Sequence, residues 1–391
     1  MFSLDRFYNI LHNNLISRCS VTGKSIYFHP FGTYQNTLIL DNNFNNPITV
    51  LTRNWNPNTK FIQSYFFDQE PLYHHTKSIL TKTITQLYFD EGPTRIQLFA
   101  NSEKSNLKQD IVTSFGLHDW YYFFHGFAAL DWYRDFQYIE PQSFNRFDKV
   151  FICYNHLISK YRSYRLHLVS NLIEQDLIQH GYVSLFLKDE MGTWQDAIQD
   201  AESLLDSRAK VKIYQALNTQ TEPLIIDTND PDGTMSANLN IDQSTDALWH
   251  IVTETVYFLP KLHLTEKIFK PIVSKRPFIL VAAPGNLAYL KSYGFRTFDR
   301  WIDESYDQEA DHYIRIEKIT AEIARLCAME PADLIIMHDE MKEVLEYNFN
   351  HFYNDFKGII VDELVDNFEH IMISNDISTP DLAEVKKRLK Q

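Results

Sequence analysis

This sequence lacks most of the features that would announce a simple function class. It has three cysteines in 391 residues, Cys19, Cys153 and Cys327, all far apart. Isolated cysteines give neither a disulfide framework nor the paired spacing of a zinc site, and they suit a reducing, cytoplasmic setting. Cys153, inside VFICYN, reads as a buried strand residue. No apolar run reaches the roughly 18 residues of a membrane span. The start, MFSLDRFYNILHNN, has no basic region leading into an apolar stretch and a small-residue cleavage site, so no signal peptide is expected. Positive charge is scarce as well. A formal net charge of -14 disfavours non-specific binding along a nucleic-acid backbone and leaves room only for a local basic cleft.

Metal-binding and cofactor signatures are also missing. There is no HExxH pattern, no histidine-rich helix and no close carboxylate triad. The adjacent His74 and His75 point in different directions and make a poor zinc pair. Asp303, Glu304 and Asp307 read better as hydrated acidic surface than as a site for a hard cation. Neither a Walker loop nor a GxGxxG fingerprint occurs, so hydride transfer gains little support. No metal and no tightly bound cofactor are expected.

What is present is a folded chain. Hydrophobic residues make up 44% and aromatics 14%, too many for disorder, and the length suits two medium cores. KSIYFHPF, the stretch from Asn36 to Leu51, FIQSYFFD, TQLYFDE and RIQLFANSE are β-prone runs ending in polar residues. HHTKSILTKT and the segment after Ser102 read as helices, with Ser102 as a cap. The pattern weakens around Phe136–Arg146 and resumes at DKVFICYN. Leu166, Val169, Leu172, Ile173 and Leu177 then form one helical stripe, with Gly181 as its stop. VSLFL and KVKIYQ read as strands, Thr221–Asp246 contains a long loop, and ALWHIVTETVYF returns to a strand pattern. From Thr320 onward helices dominate. There is no convincing repeat, only two similar halves. The alternation predicts an α/β fold with mostly parallel sheets. Its divisions are residues 1–145, 146–325, and a helical extension 326–391 that packs back across the first domain or both.

The segment HLTEKIFKPIVSKRPFILVAAPGNLAYLKSYG, His263–Gly294, carries the most specific chemistry. Thr265 caps a predicted helix whose remaining N–H groups suit an anion. Glu266 and Lys270 are four apart, and their simplest role is an exposed helix pair. A more specific role has Glu266 accepting from ribose hydroxyls while Lys267 or Lys270 balances phosphate charge. Gly285, after the apolar strand, lets backbone donors approach a ligand or simply makes a sharp bend.

TEKIFKPIVSKRPFILVAAPGNLAYLKSYGFRTFDRWIDESYD resembles the donor side of bacterial and phage-associated glycosyltransferase-like proteins. Its TEK, followed by a helix and an apolar strand, is similar to fucosyltransferase-type donor domains. The resemblance implies the GT-B arrangement, two Rossmann-like domains facing a cleft, with Glu266 on ribose and Lys267 and Lys270 nearby. It extends to YNHLISKYRSYRLHLVSNLIEQDLIQHGYVSL, FFDQEPL and HGFAALDWYR. In the first of these, Asn155 and His156 stand where asparagine–arginine is typical, and Arg162 and Arg165 are left as phosphate contacts. An arginine fork grips two phosphate oxygens, although a surface arginine covering the helix is the plainer role.

On the acceptor side, Asp68 and Glu70 follow an apolar strand and share a face at i,i+2 spacing. Either is a candidate base if its pKa is raised, and solvated loop acids are the plain alternative. His125 is a third candidate base or a structural histidine. Gly126 permits close approach, and Asp131 and Trp132 support the acceptor. The expected reaction moves a sugar from a nucleoside diphosphate sugar to a hydroxyl of a glycan, protein or small molecule. Modified DNA is a weaker acceptor candidate. A sugar phosphorylase or hydrolase, and a non-enzymatic carbohydrate-binding or phage-associated structural protein, are the alternatives.

Overall fold

A computed structural model of the chain describes residues 4–19, 22–27, 48–51, 61–67, 70–73, 78, 81, 95–135, 146–189, 191–201, 204–220, 222–224, 226, 239 and 241–391. They form two compact units, Met1–Gln137 with Asp355–Gln391, and Tyr138–Asn354. Both are α/β with mostly parallel sheets. Asp68, the 74–83 segment apart from residues 78 and 81, TQLYFDE and Phe136–Asn145 lie outside the described residues.

In the first unit, strands β1 (Thr22–Tyr27), β2 (Ile48–Leu51), β3 (Phe61–Phe66), β4 (Arg95–Ala100) and β5 (His118–Trp120) form one sheet. Its order is β2-β1-β3-β4-β5. Only the β1–β2 pair is antiparallel. Tyr65, Leu72, Phe99, Ile111 and Leu117 build one core cluster. The helix Asn106–Phe115 is capped by Ser105, whose Oγ accepts from the Lys108 N–H at 3.1 Å. The expected cap, Ser102, is instead buried in the preceding turn. Asn101 Oδ1 accepts from the Glu103 N–H at 2.9 Å and keeps that turn out of the helix. Gly116, at φ 61, ends the helix in the left-handed conformation that side chains resist.

The aromatic run WYYFFHGFAALDWY is largely core. Trp120 packs on Phe66 and Phe368, and its indole N–H donates to the Leu364 carbonyl at 3.1 Å. Helix Phe124–Leu130 follows, buried along its full length.

The second unit holds a sheet of β6 (Lys149–Cys153), β7 (Gly181–Val183), β10 (Ala247–Thr253) and β11 (Phe278–Val281), with a separate ribbon of β8 (Lys188–Asp189) and β9 (Gly192–Thr193). The order is β11-β10-β6-β7, every pair parallel. All seven residues of β10 are buried, as expected of a parallel strand covered on both faces. The chain leaves β6 for β7 on one side, then crosses back to β10 and β11 on the other. The direction of winding therefore reverses between β6 and β10. In open α/β sheets the crevice beyond the carboxyl ends of such strands is the usual ligand position.

Three local expectations fail in this unit, the first being VSLFL, of which only Val183 lies in a strand. KVKIYQ lies in a helix, Ser207–Leu217, not a strand. Its alternation of charge and apolarity imitates a strand, but Ala209, Ile213, Ala216 and Leu217 bury one helical stripe and Asp206 caps it. The stripe after Arg165 stops at Glu174, before Gly181, because Asp176 takes φ 54 and Gly181 opens β7. Helices His312–Cys327 and Pro331–Asn350 complete this unit, while Phe356–Ser374 and Leu382–Lys390 belong to the first. Among the described residues no helix is long and apolar enough to cross a membrane.

Candidate functional site

The carboxyl end of β10 carries a hydrogen-bonded polar cluster near the winding reversal. Glu254 follows Thr253 directly and is fully buried. Thr265 returns to it from the far side of the intervening loop. Its hydroxyl donates to Glu254 Oε2 at 2.5 Å and its N–H to Oε1 at 3.2 Å. Thr265 caps a 3-10 turn, Glu266–Ile268, that runs into the helix Phe269–Val273, so the expected cap is present on a shorter element. Lys267 Nζ donates to Glu266 Oε1 at 2.9 Å and to Thr265 Oγ1 at 3.3 Å.

Glu254, Thr265 and Glu266 are all at most 2% exposed, and Lys267 is the more accessible member at 31% of its side chain. Burial pushes the Glu254 carboxyl above the usual carboxylate range. Lys267 and the Thr265 bonds oppose that rise, and Glu266 adds to it. Desolvation lowers half-buried Lys270 to about 8, against the pull of Glu266. Glu266 is thus not an exposed helix partner but a buried carboxylate that Lys267 bonds and that also acts on Lys270. Glu254 was not singled out from sequence. The only signal for it was an acid directly after an apolar strand.

Arg165 does not present a fork to a ligand. From the helix Tyr164–Glu174, its Nη1 donates to the Leu157 carbonyl at 2.9 Å and its Nη2 to the Thr253 carbonyl at 3.0 Å. The guanidinium ties the loop after β6 to the end of β10, which corrects its expected phosphate role. Beside it, the Tyr164 hydroxyl donates to the Glu254 carbonyl at 2.5 Å. Asn155, fully buried, donates from Nδ2 to Cys153 Sγ and to the Ser184 carbonyl, both at 3.2 Å, and so fixes the turn after β6. Among the described residues its Oδ1 has no partner. Arg162 is half-buried on the 3-10 turn Lys160–Arg162. His156 packs edge-on against Phe186.

Gly285 also departs from expectation. At φ 85 it makes the bend that its sequence position implied. Its N–H, however, donates to the Asp307 carbonyl at 2.8 Å, and the Leu287 N–H to Asp307 Oδ1 at 3.1 Å. The protein's own aspartate occupies the place proposed for a ligand. Asp307 and Glu304 are thus built into the fold, not hydrated surface. Glu304 accepts from Thr297 Oγ1 at 2.7 Å and from the Phe298 N–H at 2.8 Å. Asp303 alone of the three is exposed.

On the first unit, Glu70 is half-buried before Pro71 at the carboxyl edge of the sheet. Close by in sequence, the Leu72 N–H donates to the buried Glu103 at 2.7 Å. His125 is 2% exposed in the first turn of its helix, which encloses the ring in the core. Gly126 serves packing: a Cβ there would lie 2.8 Å from Phe356 Cζ, so its close approach is to a ring and not to an acceptor. Asp131 accepts from the Leu4 N–H at 3.1 Å and anchors the first helix. Trp132 is half-buried and edge-on to Tyr133.

Cavities of about 390 and 380 Å³ open around Lys291 and Asp299, one beside Asp307 and the other beside Trp301 and Glu340. Thr265, Glu266 and Lys267 line neither. Among the described residues no group of three or more His, Cys, Asp or Glu side chains is placed to hold a metal ion. No protein-family model matches the chain, and no curated protein or solved structure matches it either.

Proposed function

We propose that the chain is a glycosyltransferase of the GT-B type that takes its sugar from a nucleoside diphosphate donor. The supporting observation is the cluster of Glu254, Thr265, Glu266 and Lys267 at the carboxyl end of β10, beside the winding reversal of a parallel sheet. Such a position suits a nucleotide, and the cluster offers what one requires. Glu266 is an acceptor for ribose hydroxyls, and Lys267 and Lys270 are cations for the diphosphate. Positive charge there stabilises the diphosphate as its bond to the sugar breaks. In this reading Arg165 and Asn155 are positioning residues that fix the two loops carrying the site. The first unit carries the acceptor side, with Asp68 and Glu70 as candidate bases. The enclosed ring of His125 gives it less support.

The test is calorimetry of the full chain with UDP, GDP, ADP, CMP and dTDP, each beside a sugar derivative, followed by mass spectrometry with hydroxyl acceptors. Binding of one nucleotide that is weakened in Glu266→Gln, together with a product heavier by one sugar, is the expected result. Glycan binding without nucleotide binding or transfer would favour a carbohydrate-binding protein instead.

A further inference from the structure

The two cavities around Lys291 and Asp299 lie apart from the Glu254 cluster, and their linings have a chemistry of their own. Each is within the range of small-ligand pockets, about 300–1,000 Å³. Lys291 and Asp299 border both, so their 3.2 Å ion pair stands where the two cavities meet. With side chains 44% and 60% exposed, that pair is worth little and yields to a ligand that replaces its bonds.

The wall between Arg296 and Trp301 is fixed from behind. Asn348, 2% exposed, accepts from the Arg296 N–H at 2.8 Å and donates to the Arg296 carbonyl at 2.9 Å. Glu304 holds the Phe298 N–H at 2.8 Å, and Arg325 Nη2 donates to the Trp301 carbonyl at 2.7 Å. This backbone is in place before a ligand arrives, which lowers the ordering cost of binding.

The lining indicates the ligand class. The cavity of about 380 Å³ sets three cations, Lys291, Arg296 and Arg300, against three carboxylates, Asp299, Glu340 and Glu343. A wall with no net charge favours neither an anion nor a cation. Its guanidinium and carboxylate groups place paired donors beside paired acceptors, which suits adjacent hydroxyls that both donate and accept. Trp301 adds an apolar plane with one polar edge. It is half-buried, its indole N–H donates to Glu340 at 3.0 Å, and Arg300 lies 5.2 Å from its ring. Among the described residues Arg300 has no hydrogen bond or ion pair, so its donors are open to a ligand. The adjoining cavity of about 390 Å³ is walled by Asp303, Glu304 and Asp307, with Lys291 as the one cation of its described lining. That wall turns away an anion.

We propose that this groove binds an uncharged glycan. One sugar ring lies on Trp301 with its hydroxyls bonded to Arg300 and Glu340, and the next passes the Lys291–Asp299 pair into the adjoining cavity. The site belongs wholly to the second unit and needs neither the Glu254 cluster nor a nucleotide, so it goes beyond the reading above.

Maltotriose, chitotriose and mannotriose are the probes, screened against the full chain by saturation-transfer NMR and then titrated calorimetrically. Wild type is expected to bind at least one of them, and Trp301→Ala and Arg300→Ala should each weaken it by about tenfold. Arg300→Ala removes no hydrogen bond of the fold, so misfolding cannot account for its loss. Trp301→Phe, which keeps a ring, should retain part of the affinity. Trigalacturonate, an anionic trisaccharide, should bind more weakly than the uncharged probe. Binding of none of the three, affinity unchanged in either alanine variant, or preference for trigalacturonate overturns the proposal. Oligosaccharide binding that Arg300→Ala weakens, in a chain that binds no nucleotide, upholds the groove and sinks the donor reading. Nucleotide binding without oligosaccharide binding does the reverse.

Discussion

Arg165 Nη2 and the Thr253 carbonyl, 88 residues apart in the chain, lie 3.0 Å from each other. That bond and its neighbour to Leu157 at 2.9 Å hold the β6 and β10 loops in fixed relation. Arg165→Ala takes this donor from the buried Thr253 carbonyl, at about 1–3 kcal/mol, and from the part-buried Leu157 carbonyl at less. The expected outcome is a large fall in melting temperature, and Arg165→Lys should not restore it, because one ammonium cannot reproduce the planar fork. Wild-type stability in a folded Arg165→Ala that has lost only nucleotide affinity would return this arginine to a ligand role.

That bond also marks a limit of reading sequence. Most strands of the two sheets are legible because apolar runs such as FIQSYF and FILV are bounded by turn residues, and the Thr265 cap is a local event, whereas β5 goes unread and VSLFL meets β7 only at Val183. The partners of Arg165, Gly285 and Glu254 are contributed by distant segments, and no local spacing encodes them. KVKIYQ misled for a different reason. Six residues satisfy a period of two by chance, and the helical stripe from Ala209 to Leu217 emerges only over a longer window.

Gly126 is a packing position, so its substitution should act on stability. A Cβ would meet Phe356 at 2.8 Å and Ile360 at 3.1 Å, and Phe356 has no room to withdraw because it is fully buried. Gly126→Ala should cost about 1–3 kcal/mol by overpacking. Urea denaturation should find part of that cost recovered when Phe356→Leu is added. No coupling between the two changes would contradict the contact.

Glu317 gives a dependence on acid. His167, Asn171 and Lys212 hold its carboxyl at about 2, below the ordinary 4.5. A depressed carboxylate contributes stability above its unfolded pKa and loses it as pH falls through the folded one. The contribution is therefore present above 4.5 and declines from there toward about 2. With 34% of the side chain exposed, screening reduces it to about 1–2 kcal/mol. Glu317→Gln should be destabilised by that amount at neutral pH, and the gap should close in acid. A gap that persists unchanged at low pH would show that packing, not charge, is responsible.

Glu266 and Lys267 allow structure and ligand recognition to be separated. Their 2.9 Å bond joins a carboxylate with 2% side-chain exposure to an ammonium with 31%. Lys267→Ala takes one cation from that carboxylate, leaving Lys270 to act on it, and should destabilise by about 1–3 kcal/mol, below the cost of breaking a fully buried pair because water reaches the lysine. Adding Glu266→Gln removes the under-compensated charge and should return much of the stability. Nucleotide affinity should behave differently. If Glu266 receives ribose hydroxyls and Lys267 meets phosphate, the double variant loses both contacts. It should then bind at least about tenfold more weakly than wild type, a charged hydrogen bond being worth about 1.5–3 kcal/mol. Thermal melts and calorimetry on the same four proteins decide the matter. Stability that recovers together with affinity would make the pair a structural ion pair and nothing more.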